Sequence, residues 1–447
     1  MSESNKTLGY LPQDTPPIGA TLSLGLQQVL TMFPATVLVA ILTKFDVGTT
    51  LLASGLGTII ALLVSKRRIP MYYGSSFSYL AVIMSAATNL NIDCGTANYC
   101  PDVVRIVQVG IILTGVLNII IGLIVQKVGK KALDIVLPPI ITGSMAITIG
   151  IALAGVALGD ASNHWGVAFI TLVATILFSV FLRGKGLLGM LPILFGAIVG
   201  YAAAAAFNII DYTTITSANW LVLPNVTLPA FGNAEAWGMG LSIALIAIAT
   251  IPESTAHLYQ MSLYIDELAK ELKKPELKIK DLIGLNLVAD GCNDIVNGFL
   301  GGCAGTNYGE NNSLMAITRN YSVPVLMTAG AIAIALAFLG KLAGIVYSIP
   351  TAVTGGLSIY LFGVIGMQGL ALIQSEKVDL FNPKNLAVGA VILVTGIGGN
   401  MTLPGGSFPF NVPYLFPNGI PAIVFAAILG IALNLIFILF DKKDTKA

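Results

Sequence analysis

The side chains best placed for chemistry in this 447-residue sequence are acids and a histidine set among apolar residues. Glu253 follows Ile251-Pro252, and His257 stands four residues on, so the two share one face of one helix. Glu310 opens the run Glu310-Asn311-Asn312-Ser313, and Asp290 and Asp294 are again four apart. An ionisable group inside an apolar segment is a functional candidate by default. A carboxylate there accepts N–H hydrogen bonds and can carry a proton. Two of them facing one small planar solute with N–H and C=O edges make chemical sense. Enzyme chemistry has little to work with: there is no His-Glu-x-x-His, no Gly-x-Ser-x-Gly and no P-loop. Two histidines in the whole chain leave no metal set, so no cofactor is expected.

Two polar, glycine-containing stretches must position these groups. One is Met71-Tyr72-Tyr73-Gly74-Ser75-Ser76-Phe77-Ser78-Tyr79, the other Gly305-Thr306-Asn307-Tyr308-Gly309-Glu310-Asn311-Asn312-Ser313. Each places Tyr-Gly before a polar pair and then an apolar helical run. Matched interruptions in the two halves of a membrane chain point to a binding site near the midplane. Backbone broken at that depth must be buried or line a cavity. The helix starts present free N–H groups and partial positive charge.

The remaining composition makes lipid the solvent. Hydrophobic residues are 55% of the chain and charged residues 10%, against about 25% charged in soluble domains. The net charge of +1 suggests no nucleic-acid partner. The pattern predicts an all-α polytopic membrane protein with about fourteen spans. They lie near 19–42, 47–65, 70–88, 104–125, 132–156, 165–182, 187–208, 237–262, 282–300, 303–318, 322–346, 350–373, 385–402 and 418–440. The polar start, Met1 to Pro17, does not read as a cleavable signal. With the N-terminus cytoplasmic, every Lys and Arg of the 23 falls inside except Lys44, Arg105 and Lys341, a strong positive-inside asymmetry. Both termini are then cytoplasmic, in a cell membrane. The loop from Tyr264 to Lys280 reads as a solvated linker or a short amphipathic helix. Cys292 and Cys303 read as packing residues. Cys94 and Cys100 share a polar loop and are either two thiols or, in an external loop, a local disulfide.

The stretch Asn307 to Arg319 resembles the signature of the nucleobase–ascorbate transporter family, in its bacterial uracil permease branch. Gly74-Ser-Ser-Phe77, Leu137-Pro-Pro139, Gly340-Lys-Leu-Ala343 and Gly363-Val-Ile-Gly366 add support in the same order. The resemblance implies fourteen segments in two inverted repeats of seven, with short strands in segments 3 and 10. It implies a core domain (19–125 and 237–346), a gate domain (132–208 and 350–440), and tails at 1–18 and 441–447. It also implies a homodimer and elevator-type import of uracil with a proton. Glu253 and Glu310 match the glutamates that hydrogen-bond the base from two sides. Phe77 and Gly309 match positions whose backbone N–H groups meet its carbonyl oxygens, beside Ser76 and Tyr308. His257 matches a histidine that contacts the base through water. Asp290, Asn311, Gln28, Thr318 and Arg319 match supporting or proton-coupling positions.

Several residues depart from that pattern. Ser313 replaces a glycine, Asn307 a threonine, and Phe362 an expected gate tyrosine. Gln28 stands where a coupling histidine often does, and Ala289-Asp290-Gly291 follows the purine transporters. A xanthine or purine symporter is therefore the alternative. An anion exchanger of the same fold is a weaker one, because two carboxylates repel an anion. Such exchangers also usually carry a soluble C-terminal domain, and this sequence stops at Ala447.

Overall fold

The computed structural model describes residues 9–412 apart from 91 and 96, residue 416, and residues 419–444; at 88, 130–132 and 441–444 it describes backbone only. The expected tails at 1–18 and 441–447 thus lie partly outside the described residues. The first quarter holds α1 (Ile18–Thr43), α2 (Val47–Val64), β1 (Tyr73–Ser75), α3 (Leu80–Asn89) and α4 (Pro101–Val128). Next come α5 (Lys130–Val136), α6 (Pro139–Ala152), α7 (Ala154–Ser162), α8 (Trp165–Phe181), α9 (Pro192–Ala206) and α10 (Thr213–Ser217). The second half opens with α11 (Ala234–Ala244), α12 (Ala247–Glu271), α13 (Ile283–Leu300), β2 (Gly305–Asn307), α14 (Gly309–Thr318) and α15 (Val323–Ala337). It closes with α16 (Gly340–Tyr347), α17 (Thr351–Ser375), α18 (Pro383–Leu393), α19 (Gly399–Thr402), β3 (Ser407–Phe408), β4 (Ile420–Pro421) and α20 (Ala422–Asp444).

Among the described residues seven helices are long and apolar enough to cross a bilayer, or eight if α11 and α12 count as one bent span. Four further apolar helices are shorter. Several expected spans are interrupted. The segment 132–156 is divided at Pro138 and Pro139, which stop α5 and start α6, and α6 and α7 then form one span to Ser162. The segment 237–262 bends by 40° between α11 and α12. A π-turn at Val394–Gly398 joins α18 to α19 within one span, Pro383–Thr402. The Tyr264–Lys280 linker needs correcting too: α12 runs unbroken to Glu271. The Asp266 carboxylate accepts from the backbone N–H groups of Leu277 (2.7 Å) and Lys278 (3.0 Å) and folds the remainder back onto the helix.

The helices pack in two sets. In one, α4 lies on α13 and α11, and α2 on α15 and α13. In the other, α17 lies on α6, α7 and α8, and α18 on α20 and α6. Small residues let backbones meet where lipid offers no hydrophobic drive. A Cβ on Gly55 of α2 would sit 2.5 Å from the Gly330 carbonyl of α15, and one on Gly330 2.9 Å from the Gly55 carbonyl. Gly115 and Gly291 face one another in the same way between α4 and α13.

The polar segments gather at two ends. Backbone bonds link Tyr10 to Arg319 and Tyr321, Gln13 donates to the Arg67 carbonyl at 2.6 Å, and Arg319 pairs with Glu271 at 2.7 Å. Elsewhere Lys44 donates to the Gly95 carbonyl at 2.7 Å, beside a Cys94–Cys100 disulfide with Cα atoms 5.6 Å apart. The two cysteines are thus bonded, and the choice left open by the sequence is settled for the disulfide.

Candidate functional site

The two Tyr-Gly stretches meet. β1 and β2 pair antiparallel, with Tyr73 opposite Asn307, Gly74 opposite Thr306 and Ser75 opposite Gly305. Each strand gives the other the backbone partners that lipid could not supply. Side chains complete the set: the Thr58 and Ser54 hydroxyls donate to the Tyr73 carbonyl (3.1 and 2.7 Å), and Gly305 N–H donates to Asp294 at 2.8 Å. Gly74 has no side chain because the Tyr308 ring covers it; a Cβ there would lie 2.5 Å from ring carbons.

Helices leave both strands at once. A 3-10 turn begins at Phe77 and leads into α3, and α14 begins at Gly309. Among the described residues neither the Phe77 nor the Gly309 backbone N–H has an acceptor, as expected of first-turn groups. Both residues line a cavity of about 440 Å³ between the two helix sets. Glu253 and His257 reach it from α12, and Glu310 from the first turn of α14. Both glutamates are exposed, and the cavity is what exposes them. The facing wall comes from α6 and α17 and is mostly apolar, with Thr142, Gln368 and Ser375 as polar points. Phe77 meets Phe362 of that wall edge to face at 6.5 Å.

The expected residues divide by place. Glu253, Glu310, Phe77, Gly309, His257, Tyr308 and Ser76 all line the cavity. The phenol of Tyr308 is already occupied, however: it donates to the Ser75 carbonyl at 2.8 Å and lies 3.0 Å from the Thr36 hydroxyl. Tyr308 is therefore a clasp behind the site, and only its remaining surface borders the cavity. Asn311 donates to the carbonyl and side-chain oxygens of Gln28 (3.0 and 2.7 Å), tying α14 to α1 with both residues buried. Thr318 and Arg319 lie at the far end of α14, about 13 Å away by helix rise. There the Thr318 hydroxyl donates to the Leu314 carbonyl at 2.8 Å.

Asp290 does not touch the cavity. It accepts from the Ser254 hydroxyl in a short hydrogen bond. Ser254 in turn accepts from Asn286 and Asn307, each at 2.7 Å. His257 Nδ1 lies 2.7 Å from Asn307 Oδ1. Ser254, Asn286 and Gln368 were not singled out by the sequence, and Asn307 only as a departure from the family pattern. Small polar residues inside an apolar helix were their one signal. Among the described residues no group of three His, Cys, Asp or Glu could hold a metal.

Paired broken segments, two carboxylates and two free backbone N–H groups at one cavity between membrane helices define a permease rather than an enzyme. A model of the permease family, Xan_ur_permease, matches residues 19–405, and the chain belongs to this family, the nucleobase–ascorbate transporters. It is 36% identical over 435 residues to a uracil permease of Bacillus caldolyticus, covering 95% of this chain and 93% of the relative. It is 35% identical to the uracil permease of Escherichia coli K12, covering 95% and 92%. In fold it is similar to SLC26A9 (TM-score 0.65, 13% identity, 95% of this chain and 66% of that one). The transmembrane domain of the cyanobacterial bicarbonate transporter BicA gives TM-score 0.60 at 14% identity, covering 88% and 99%.

Proposed function

We propose that this permease imports a nucleobase, uracil, together with a proton. The observation that carries the reading is the pairing of Glu253 and Glu310 in one cavity with the free N–H groups of Phe77 and Gly309. The cavity thus holds both acceptors and donors, as the N–H and C=O groups of a pyrimidine-dione edge require. The relatives named uracil permeases support the same substrate. A bound anion would face two carboxylates, so anion exchange is disfavoured despite the shared fold.

The transport cycle we propose is an elevator. The set holding α1–α4 and α11–α15 is the core and carries the site. The set holding α5–α9 and α17–α20 is the gate and stays with the membrane. Fourteen segments form two inverted repeats of seven, both termini are cytoplasmic in a cell membrane, and two copies make a homodimer. Gathering of the N-terminal segment, Arg67, Lys274 and Arg319 at one end supports that orientation.

The test is uptake of labelled uracil, xanthine and hypoxanthine by cells without their own permeases, with and without a protonophore. Uracil uptake abolished by the protonophore is expected. Xanthine uptake without uracil uptake would overturn the substrate, and protonophore-resistant, sodium-dependent uptake would replace the ion. Glu253→Gln and Glu310→Ala each remove a partner from a desolvated hydrogen bond, about 1–3 kcal/mol and more if charged. Uptake near normal in both would put the site elsewhere.

A further inference from the structure

The polar chain behind the cavity fixes the proton of His257. It can be read from Asp290 outward, because each member has a limited set of donors and acceptors. A serine hydroxyl has one hydrogen. With Asp290 as the carboxylate, Ser254 receives amide donors from Asn286 and Asn307 at 2.7 Å each and its own hydrogen goes to Asp290. The Asn307 amide thereby turns its NH2 to Ser254 and its Oδ1 to His257. The flipped amide would leave Ser254 with two acceptors for one hydrogen. An amide oxygen only accepts, so His257 Nδ1 carries the proton. The Asn307 backbone carbonyl, 3.2 Å from the same Nδ1, requires this independently.

A neutral imidazole protonated on Nδ1 has a bare Nε2. That nitrogen faces the cavity beside Gly309, where a Cβ would lie 2.9 Å from it. We propose that Asp290, acting through Ser254 and Asn307, is the positioning group that holds His257 as the Nδ1–H tautomer, so that the site offers its ligand a hydrogen-bond acceptor at Nε2. The ligand class this selects carries a ring N–H donor toward α12, reaching Nε2 directly or through a water. Asn307 is then a specificity residue although it contributes to the cavity wall mainly through its backbone strand. The ligand class rests on the nucleobase reading above; the tautomer does not.

The experiment exploits the chain's two histidines. His164 caps α8 by accepting the Val167 N–H on Nδ1 at 3.1 Å, so it is protonated on Nε2, the opposite tautomer. Purified protein in nanodiscs, labelled with 15N in histidine only, gives two long-range nitrogen–proton patterns. His164→Asn, which keeps a capping side chain, removes one and assigns the other. Without any ligand, His257 is expected with Nδ1 protonated and Nε2 bare. Ser254→Ala is expected to average the two nitrogen signals and to weaken uracil binding about tenfold; Ser254→Thr restores both. N-methylation of uracil at the nitrogen facing Nε2 weakens binding to the native protein, and Ser254→Ala loses that discrimination. A bare Nδ1 in the native protein overturns the proposal. So does Ser254→Ala with both the native nitrogen pattern and native affinity. If the protein binds no nucleobase but shows the expected pattern, the positioning stands and the substrate reading fails.

Discussion

Gly309→Ala should weaken binding while leaving stability nearly unchanged. Its methyl group would lie 2.9 Å from His257 Nε2 and 3.4 Å from Cε1. Comfortable contact begins near 3.5 Å, so the ring must retreat by about half an ångström. It is held from behind by Asn307 Oδ1 at 2.7 Å, and loosening that hydrogen bond costs about 0.5–1.5 kcal/mol. The methyl also stands between the ligand and the Nε2 acceptor, and a polar group left unpaired costs about 1–3 kcal/mol more. Only this second term bears on affinity, and about 1–3 kcal/mol is a loss of roughly fivefold to 150-fold for uracil. In the fold the loosened hydrogen bond is offset by the preference for alanine over glycine in a helix, up to about 1 kcal/mol, so the melting temperature should change little. Isothermal titration with uracil measures the first effect and a thermal melt in detergent the second. Gly363→Ala on α17, where a Cβ meets nothing within 4 Å, is the control. Uracil affinity within twofold of the parent in Gly309→Ala would refute the geometry assigned to Gly309 and His257.

Two other substitutions test the scaffold. Gly55→Ala drives a methyl to 2.5 Å from the Gly330 carbonyl and 2.8 Å from Ile334 Cγ1; overpacking of this kind costs about 1–3 kcal/mol, and a melting temperature equal to that of the Gly363→Ala control would mean α2 and α15 do not cross this closely. Arg319→Ala removes a pair with Glu271 whose side chains are 39% and 40% exposed, worth at most about 1 kcal/mol once screening is counted. Uracil affinity should stay within twofold, because Arg319 ends α14 at the far side from Gly309. Lost binding in a folded Arg319→Ala protein would return this residue to the site.

Much of the site was legible because charge in an apolar segment is conspicuous. Glu253 stands out after Ile251-Pro252, and Glu310 within the polar stretch that breaks an otherwise apolar span; both reach the cavity. Tyr308 was harder, because a motif position does not say where a phenol points; its hydrogen bonds to Ser75 and Thr36 turn it behind the site. Thr318 and Arg319 belong to the same motif as Glu310, yet helix rise carries them a full helix length away. The loop at 264–280 read as a solvated linker or a short amphipathic helix; α12 continues through its first part to Glu271, and Asp266 gives the backbone of the rest a local partner.

The sequence by itself determined the solvent, the mostly helical class and the two places where helices break. These follow from local facts: apolar length, the sides on which Lys and Arg fall, and glycine beside polar residues where a helix cannot start unbroken. Only the tertiary structure decided which broken ends meet. Tyr73 and Asn307 pair across more than half the chain, and no local preference encodes a partner that distant. It also decided the order of hydrogen bonds from Asp290 through Ser254 and Asn307 to His257. That order depends on three elements converging, since one hydroxyl hydrogen can be assigned only when all its neighbours are in place.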